Sequence, residues 1–170
     1  RGGAERVTVH RWRAAGPDPS AWTTVIAPDV PSGIAGNGFG SVTSTGDVNG
    51  DGYADLIVAA PEAPLSDSSV NPRGDGSAYL YQGGTHGLSS LVATWRGRHY
   101  SSSSERDGFG DSVLIGSDYD GDGYDDIAIV ASGSHRVEVR FGARARDELG
   151  TRVVNLDDIV SPLRVFSIAR

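Results

Sequence analysis

The residues best placed to do chemistry are a set of side-chain oxygens in one short, glycine-punctuated stretch. Counting from Asp47, oxygen-bearing side chains fall at positions 1, 3, 5 and 9, as Asp47, Asn49, Asp51 and Asp55, and Tyr53 at position 7 can add its backbone carbonyl. A loop of this kind can surround a hard cation with the roughly six to eight oxygens that calcium takes. Gly50 and Gly52 allow the sharp turns that bring those oxygens together. The pattern is written a second time, as Asp118, Asp120, Asp122, Tyr124 and Asp126. Asp, Asn and Gly are also ordinary turn formers. Two copies that both place a carboxylate at position 9 favour two calcium sites over two chance turns. An EF-hand needs a bidentate Glu at position 12, and Val58 and Ile129 stand there instead. Magnesium suits an all-protein oxygen cage less well than calcium does.

Strands must position these loops. Phe39 to Phe109 is 70 residues and Asp47 to Asp118 is 71, so one unit is written twice, and such a repeat sets the fold class. Each unit offers four strands: 41–44, 56–60, 77–81 and 91–95 in the first, and 112–115, 127–130, 136–141 and 151–156 in the second. Before them, 6–12 alternates like a half-buried strand, 16–20 reads as a turn and 22–26 as a further strand. Val7-Thr8-Val9-His10-Arg11-Trp12 aligns with Ala78–Gly83 and Val137–Gly142, so the chain is expected to start within a unit. Residues 163–168 are expected to close the chain as a strand, and 143–150 to hold one helical turn. A long, polar insert, 62–76, separates the second and third strands of the first unit, and the serine-rich connection 96–107 is expected as an exposed loop. Short strands at even spacing with turns between predict an all-β fold.

At 170 residues the chain can bury a sizeable core. A net charge of −7 argues against nucleic acid, and two bound dications would offset four of those charges. No apolar run reaches the ~18 residues that span a bilayer. There is no cysteine, so disulfides say nothing about compartment. All 15 basic residues are arginine, which suggests a high-GC bacterial genome, and the lack of methionine suggests a processed or trimmed piece from which a signal peptide has gone.

The pattern Phe39-Gly40, Asp47–Asp55, Ala59-Ala60-Pro61 resembles the FG-GAP repeat of integrin α subunits and their bacterial relatives. The second copy, Phe109-Gly110, Asp118–Asp126, Val130-Ala131-Ser132, is similar at its start and loop but lacks the Ala-Pro end. The resemblance implies four-stranded antiparallel blades of a β-propeller, calcium between the first and second strands, and the Phe-Gly pair packed between blades. The expected organisation is one propeller segment: a half blade over 1–30, full blades over 38–96 and 108–157, and a closing strand over 158–170. Integrin propellers carry more blades than this. The chain is expected either to be part of a longer propeller or to be completed by association into a homodimer.

Arg73-Gly74-Asp75 is the tripeptide that integrins recognise in cell attachment, and it falls in the long insert, away from the calcium loops. It is carried as a ligand-binding candidate against the alternative of a simple turn. Trp12, Trp22, Trp95, Tyr79 and Tyr81 are expected in blade packing, and His99 and Tyr100 as weaker ligand candidates. No catalytic motif accompanies the scattered histidines, so no enzyme is expected. The expected function is a calcium-stabilised, extracellular or cell-surface module for protein recognition or adhesion. The alternative is a glycan-binding or accessory domain of a secreted polysaccharide-active enzyme.

Overall fold

The computed structural model describes residues 5–26, 28, 36–64, 74–88, 91–99, 105–144 and 151–155. Among these residues ten strands make three antiparallel sheets, with no α-helix. Strands β1 (Arg6–Arg13) and β2 (Gly16–Ile26) form a hairpin. Strands β3 (Val42–Gly46), β4 (Asp55–Ala60), β5 (Ser77–Tyr81) and β6 (Leu91–Arg96) form a second sheet in sequence order. Strands β7 (Phe109–Ser117), β8 (Asp126–Ala131), β9 (Arg136–Arg140) and β10 (Thr151–Asn155) repeat that order in a third. This is the up-and-down order of propeller blades, and among the described residues the sheets do not close into a ring.

Apolar residues on alternate sides of β4 explain the stacking. Leu56, Val58 and Ala60 face one way, with Phe39, Tyr79 and Tyr81, and pack against Val7, Val9 and Val25 of the hairpin. Ile57 and Ala59 face the other way, with Ala78 and Leu80, and pack against Phe109, Val113, Ile115, Ile127, Ile129 and Ala131. The first blade therefore buries both faces, as a β4 that is apolar from Leu56 to Ala60 requires. Phe109 is fully buried at that junction, and Phe39 meets the ring of Tyr79 edge-on at 5.6 Å.

The register explains the change from a 70- to a 71-residue spacing. In β3, Thr45 pairs with Leu56 and Gly46 with Asp55, one after the other. In β7, Ile115 pairs with Ile127 but Ser117 with Asp126, so Gly116 is an extra residue without a partner. It is a β-bulge at φ +123°, a conformation glycine adopts without strain.

Three sequence expectations change. The stretch 16–20 is not a turn: β2 begins at Gly16, and the hairpin turns at Ala14-Ala15. Pro17 and Pro19 fall in a strand that, among the described residues, pairs only with β1, so no ladder donor is required on its other side. Strand β7 runs well beyond 112–115. The stretch 96–107 is not wholly an exposed loop, since Asp107 is completely buried. The closing strand over 163–168 and most of the helical turn over 143–150 lie outside the described residues.

Candidate metal centre

Each acidic loop bridges the first two strands of its blade, so strand pairing fixes its ends. In the first loop Asp47 folds back over the turn: its Oδ1 accepts from Asp51 N–H at 3.1 Å and its Oδ2 from Gly52 N–H at 2.8 Å. Asn49 Oδ1 also accepts from Asp51 N–H, and Asp51 Oδ1 from Tyr53 N–H. Asp55, at the start of β4, is buried, and both of its oxygens are used. Oδ2 accepts from Val48 N–H at 3.0 Å within the loop, and Oδ1 from Gly83 N–H at 2.8 Å just past β5.

The second loop reproduces this arrangement. Asp118 Oδ1 accepts from Gly121 N–H at 2.6 Å and Asp122 N–H at 3.0 Å, and its Oδ2 from Gly123 N–H at 2.9 Å. Asp122 Oδ1 accepts from Tyr124 N–H. The buried Asp126 accepts from Tyr119 N–H at 2.6 Å and from Gly142 N–H at 2.8 Å. One carboxylate oxygen each from Asp118, Asp120 and Asp126 lie within 4.8 Å of one another. Two oxygens coordinated at roughly 2.3–2.6 Å to one calcium can be no more than about 5 Å apart, so this trio fits a shared ion. In the first loop the same three positions hold Asp47, Asn49 and Asp55, an equally hard donor set with one carboxylate fewer.

Burial and the charges of neighbouring carboxylates act on several of these groups. Burial pushes the Asp55 carboxyl above its ordinary range, against the Gly83 and Val48 donors, and the charges of Asp51 and Asp47 push the same way. Burial likewise raises Asp126, against Gly142 and Tyr119. Asp120 is raised by desolvation within the loop and by the negative charge of Asp122. Asp51 is lowered, chiefly by the Tyr53 N–H. A dication among these groups would favour the charged form of every one.

Sequence reasoning missed three participants. Gly83 and Gly142 anchor the position-9 carboxylates, and the signal was present in the matched ends of Tyr81-Gln82-Gly83 and Arg140-Phe141-Gly142. Asp125 was missed as well. Its carboxylate turns away from its own loop to accept from Asp47 N–H at 2.8 Å.

The Arg73-Gly74-Asp75 stretch has a different fate. Arg73 lies outside the described residues. Asp75 is 1% exposed, with its carboxylate 2.9 Å from His99 Nδ1 and its carbonyl accepting from Phe109 N–H. The residue that would meet a receptor is thus built into the junction between the blades. His99 serves the fold through the same contact, and Tyr100 lies outside the described residues. Tyr79 and Tyr81 lie in the core and Trp95 packs against it, whereas the Trp12 and Trp22 side chains are outside the described set.

Comparison with known sequences matches this geometry. The FG-GAP repeat family matches residues 39–81 and 109–143, each a Phe-Gly start, an acidic loop and the strands that follow it. The chain is 34% identical to integrin alpha-PS5 of Drosophila melanogaster over 61% of its own length, and 34% identical to integrin alpha-IIb of Mus musculus over 76%. It is 36% identical to integrin alpha-8 of Mus musculus over 54%. It spans only 10%, 13% and 8% of those three relatives. The chain is an FG-GAP repeat protein, an integrin-α-like segment of a β-propeller.

Proposed function

We propose that each acidic loop holds one calcium ion with a structural role. The first ion is held by the side chains of Asp47, Asn49, Asp51 and Asp55 and the carbonyl of Tyr53. The second is held by the side chains of Asp118, Asp120, Asp122 and Asp126 and the carbonyl of Tyr124. The observation that carries this reading is the convergence of Asp118, Asp120 and Asp126 within 4.8 Å, where three like charges repel one another and a cation between them would relieve the repulsion. The ion ties the loop to the first two strands of its blade. Extracellular modules hold calcium at about 10⁻⁴–10⁻³ M, a range that cytosolic calcium does not fill, so the reading is of an extracellular or cell-surface module. Similarity to integrin α subunits supports recognition or adhesion as its task, with a protein as partner. The recognition surface lies elsewhere than Asp75, whose carboxylate the fold already uses.

Thermal unfolding in calcium and in excess chelator tests this. An ion at about 100 times its Kd stabilises the folded state by about 2.7 kcal/mol per site. Two sites should raise Tm by roughly 10–20 °C in a chain of this size. In Asp51→Ala/Asp122→Ala the response should vanish. An unchanged Tm in the wild type would reduce both loops to turns.

A further inference from the structure

The two loops touch, and the contact is built from the residues that carry the ligands. Asp125 donates its N–H to the Asp47 carbonyl at 3.1 Å, and its Oδ2 accepts from Asp47 N–H at 2.8 Å. One residue of the second loop thus holds both backbone polar groups of the residue that opens the first. Asp125 sits between Tyr124 and Asp126, positions 7 and 9 of its own loop. A second bridge runs alongside. Ala143 N–H donates to Val48 O at 3.0 Å, and the adjacent Gly142 N–H holds Asp126 Oδ1. Between the bridges the Tyr124 ring covers Gly50 so closely that an added Cβ would lie 2.6 Å from a ring carbon. The first loop has Ala54 where the second has Asp125, so this arm exists in the second loop alone.

We propose that the two loops bind their cations cooperatively, with Asp125 as the coupling residue; this rests on the calcium reading above. An ion that fixes Asp47 also fixes the groups that orient Asp125, and with it the flanking ligands of the second site. Part of the ordering that the second ion requires is then already complete, which is positive coupling through shared order. The effect must be reciprocal.

Calorimetric calcium titration of the whole chain tests the proposal in the wild type, Asp51→Ala, Asp125→Ala and the double variant. Asp51 is a ligand of the first site and takes no part in either bridge. Couplings of this kind span about 5- to 150-fold in affinity. The second site should therefore weaken at least about fivefold in Asp51→Ala. In the Asp125→Ala background, losing the first site should change the second by less than about twofold, the scatter expected of independent sites. Asp125→Asn keeps an acceptor oxygen and the N–H, and should keep the coupling. An equal affinity of the second site with and without the first overturns the proposal, even if Asp125→Ala does not fold. So does a coupling of the same size with and without Asp125. A wild type that binds two ions independently sinks the coupling alone, and one that binds none sinks the calcium reading with it.

Discussion

The two blades follow one backbone plan but handle charge differently. In the first blade the residue two before the Phe-Gly pair is Asn37, and β5 begins with Ser77, paired to Ala60. In the second blade the same places hold Asp107 and Arg136, with Arg136 paired to Ala131. Asn37 uses its Oδ1 to accept from Phe39 N–H. Asp107 instead meets the Arg136 guanidinium through both oxygens, at 3.2 and 2.9 Å, and neither side chain is more than 1% exposed. Ser134 and Glu138 complete the arginine's contacts, and Arg98 N–H adds a donor to Asp107. Beyond it, Arg140 lies 5.4 Å from the centre of the Trp95 ring, across the blade junction. The plan dictates a Phe-Gly start, an acidic loop and a buried second strand. It leaves open whether the slot beside the Phe-Gly pair holds a neutral amide, whose Nδ2 is buried without a hydrogen-bond partner among the described residues, or an ion pair.

The largest effect should come from breaking that pair. Arg136→Ala leaves Asp107 buried with no counter-charge, which costs about 3–5 kcal/mol. Converting the slot to the first blade's version, Asp107→Asn/Arg136→Ser, removes both charges together and should recover most of the loss. Chemical denaturation with a constant m-value would show it. A double variant no more stable than Arg136→Ala would mean that the blades are not interchangeable at this slot.

Next in size is the junction behind Asp75. Gly76 has φ +94°, and a Cβ on it would sit 2.1 Å from the Phe109 carbonyl oxygen, so Gly76→Ala forces the blades apart. A loss of about 1–3 kcal/mol is expected from overpacking. Equal stability in the melt would mean that the junction can open without strain.

The loops allow a smaller, charge-level exchange. The first loop carries Asn49 and Ala54 where the second carries Asp120 and Asp125. Ligand charge count tunes calcium affinity, so Asn49→Asp should tighten the first site, and Asp120→Asn loosen the second, by about tenfold each. Calcium titration would show this. Opposite signs would mean that repulsion in the empty loop outweighs attraction to the ion.

Much of this was legible in the sequence. The acidic loops were visible because Asp, Asn and Gly recur at the same spacing in both units, and the strands because a buried β4 reads as a nearly continuous apolar run. Contacts between units were not legible. Asp125 looks like one more acid in an acidic loop until the neighbouring Asp47 is placed beside it. Asp75 reads as part of an attachment sequence because exposure cannot be inferred from a tripeptide; only the stacking of the blades shows that it is buried. The prolines of β2 argued for a turn, and pairing with β1 on one side, the only pairing among the described residues, overrode them.

The finest distinction lies at the start of the third strand. The residue before it is Gly76 in the first blade and His135 in the second. Both take a positive φ, +94° and +49°, and His135 is the only described non-glycine residue to do so. The backbone plan therefore requires a left-handed residue here. The first blade meets it with glycine because the Phe109 carbonyl leaves no room for a Cβ. The second blade has an exposed side chain at this place, so the left-handed conformation carries only its intrinsic cost of about 1–2 kcal/mol. His135→Gly should relieve that strain and raise stability, less the extra freedom glycine gains in the unfolded chain, for a net gain of up to about 1 kcal/mol. The measurement is the denaturation midpoint of His135→Gly beside that of Gly76→Ala. A gain for the first with a loss for the second shows that one backbone requirement is met under two packing constraints. A loss for both would mean that the His135 side chain contributes more than its strain costs.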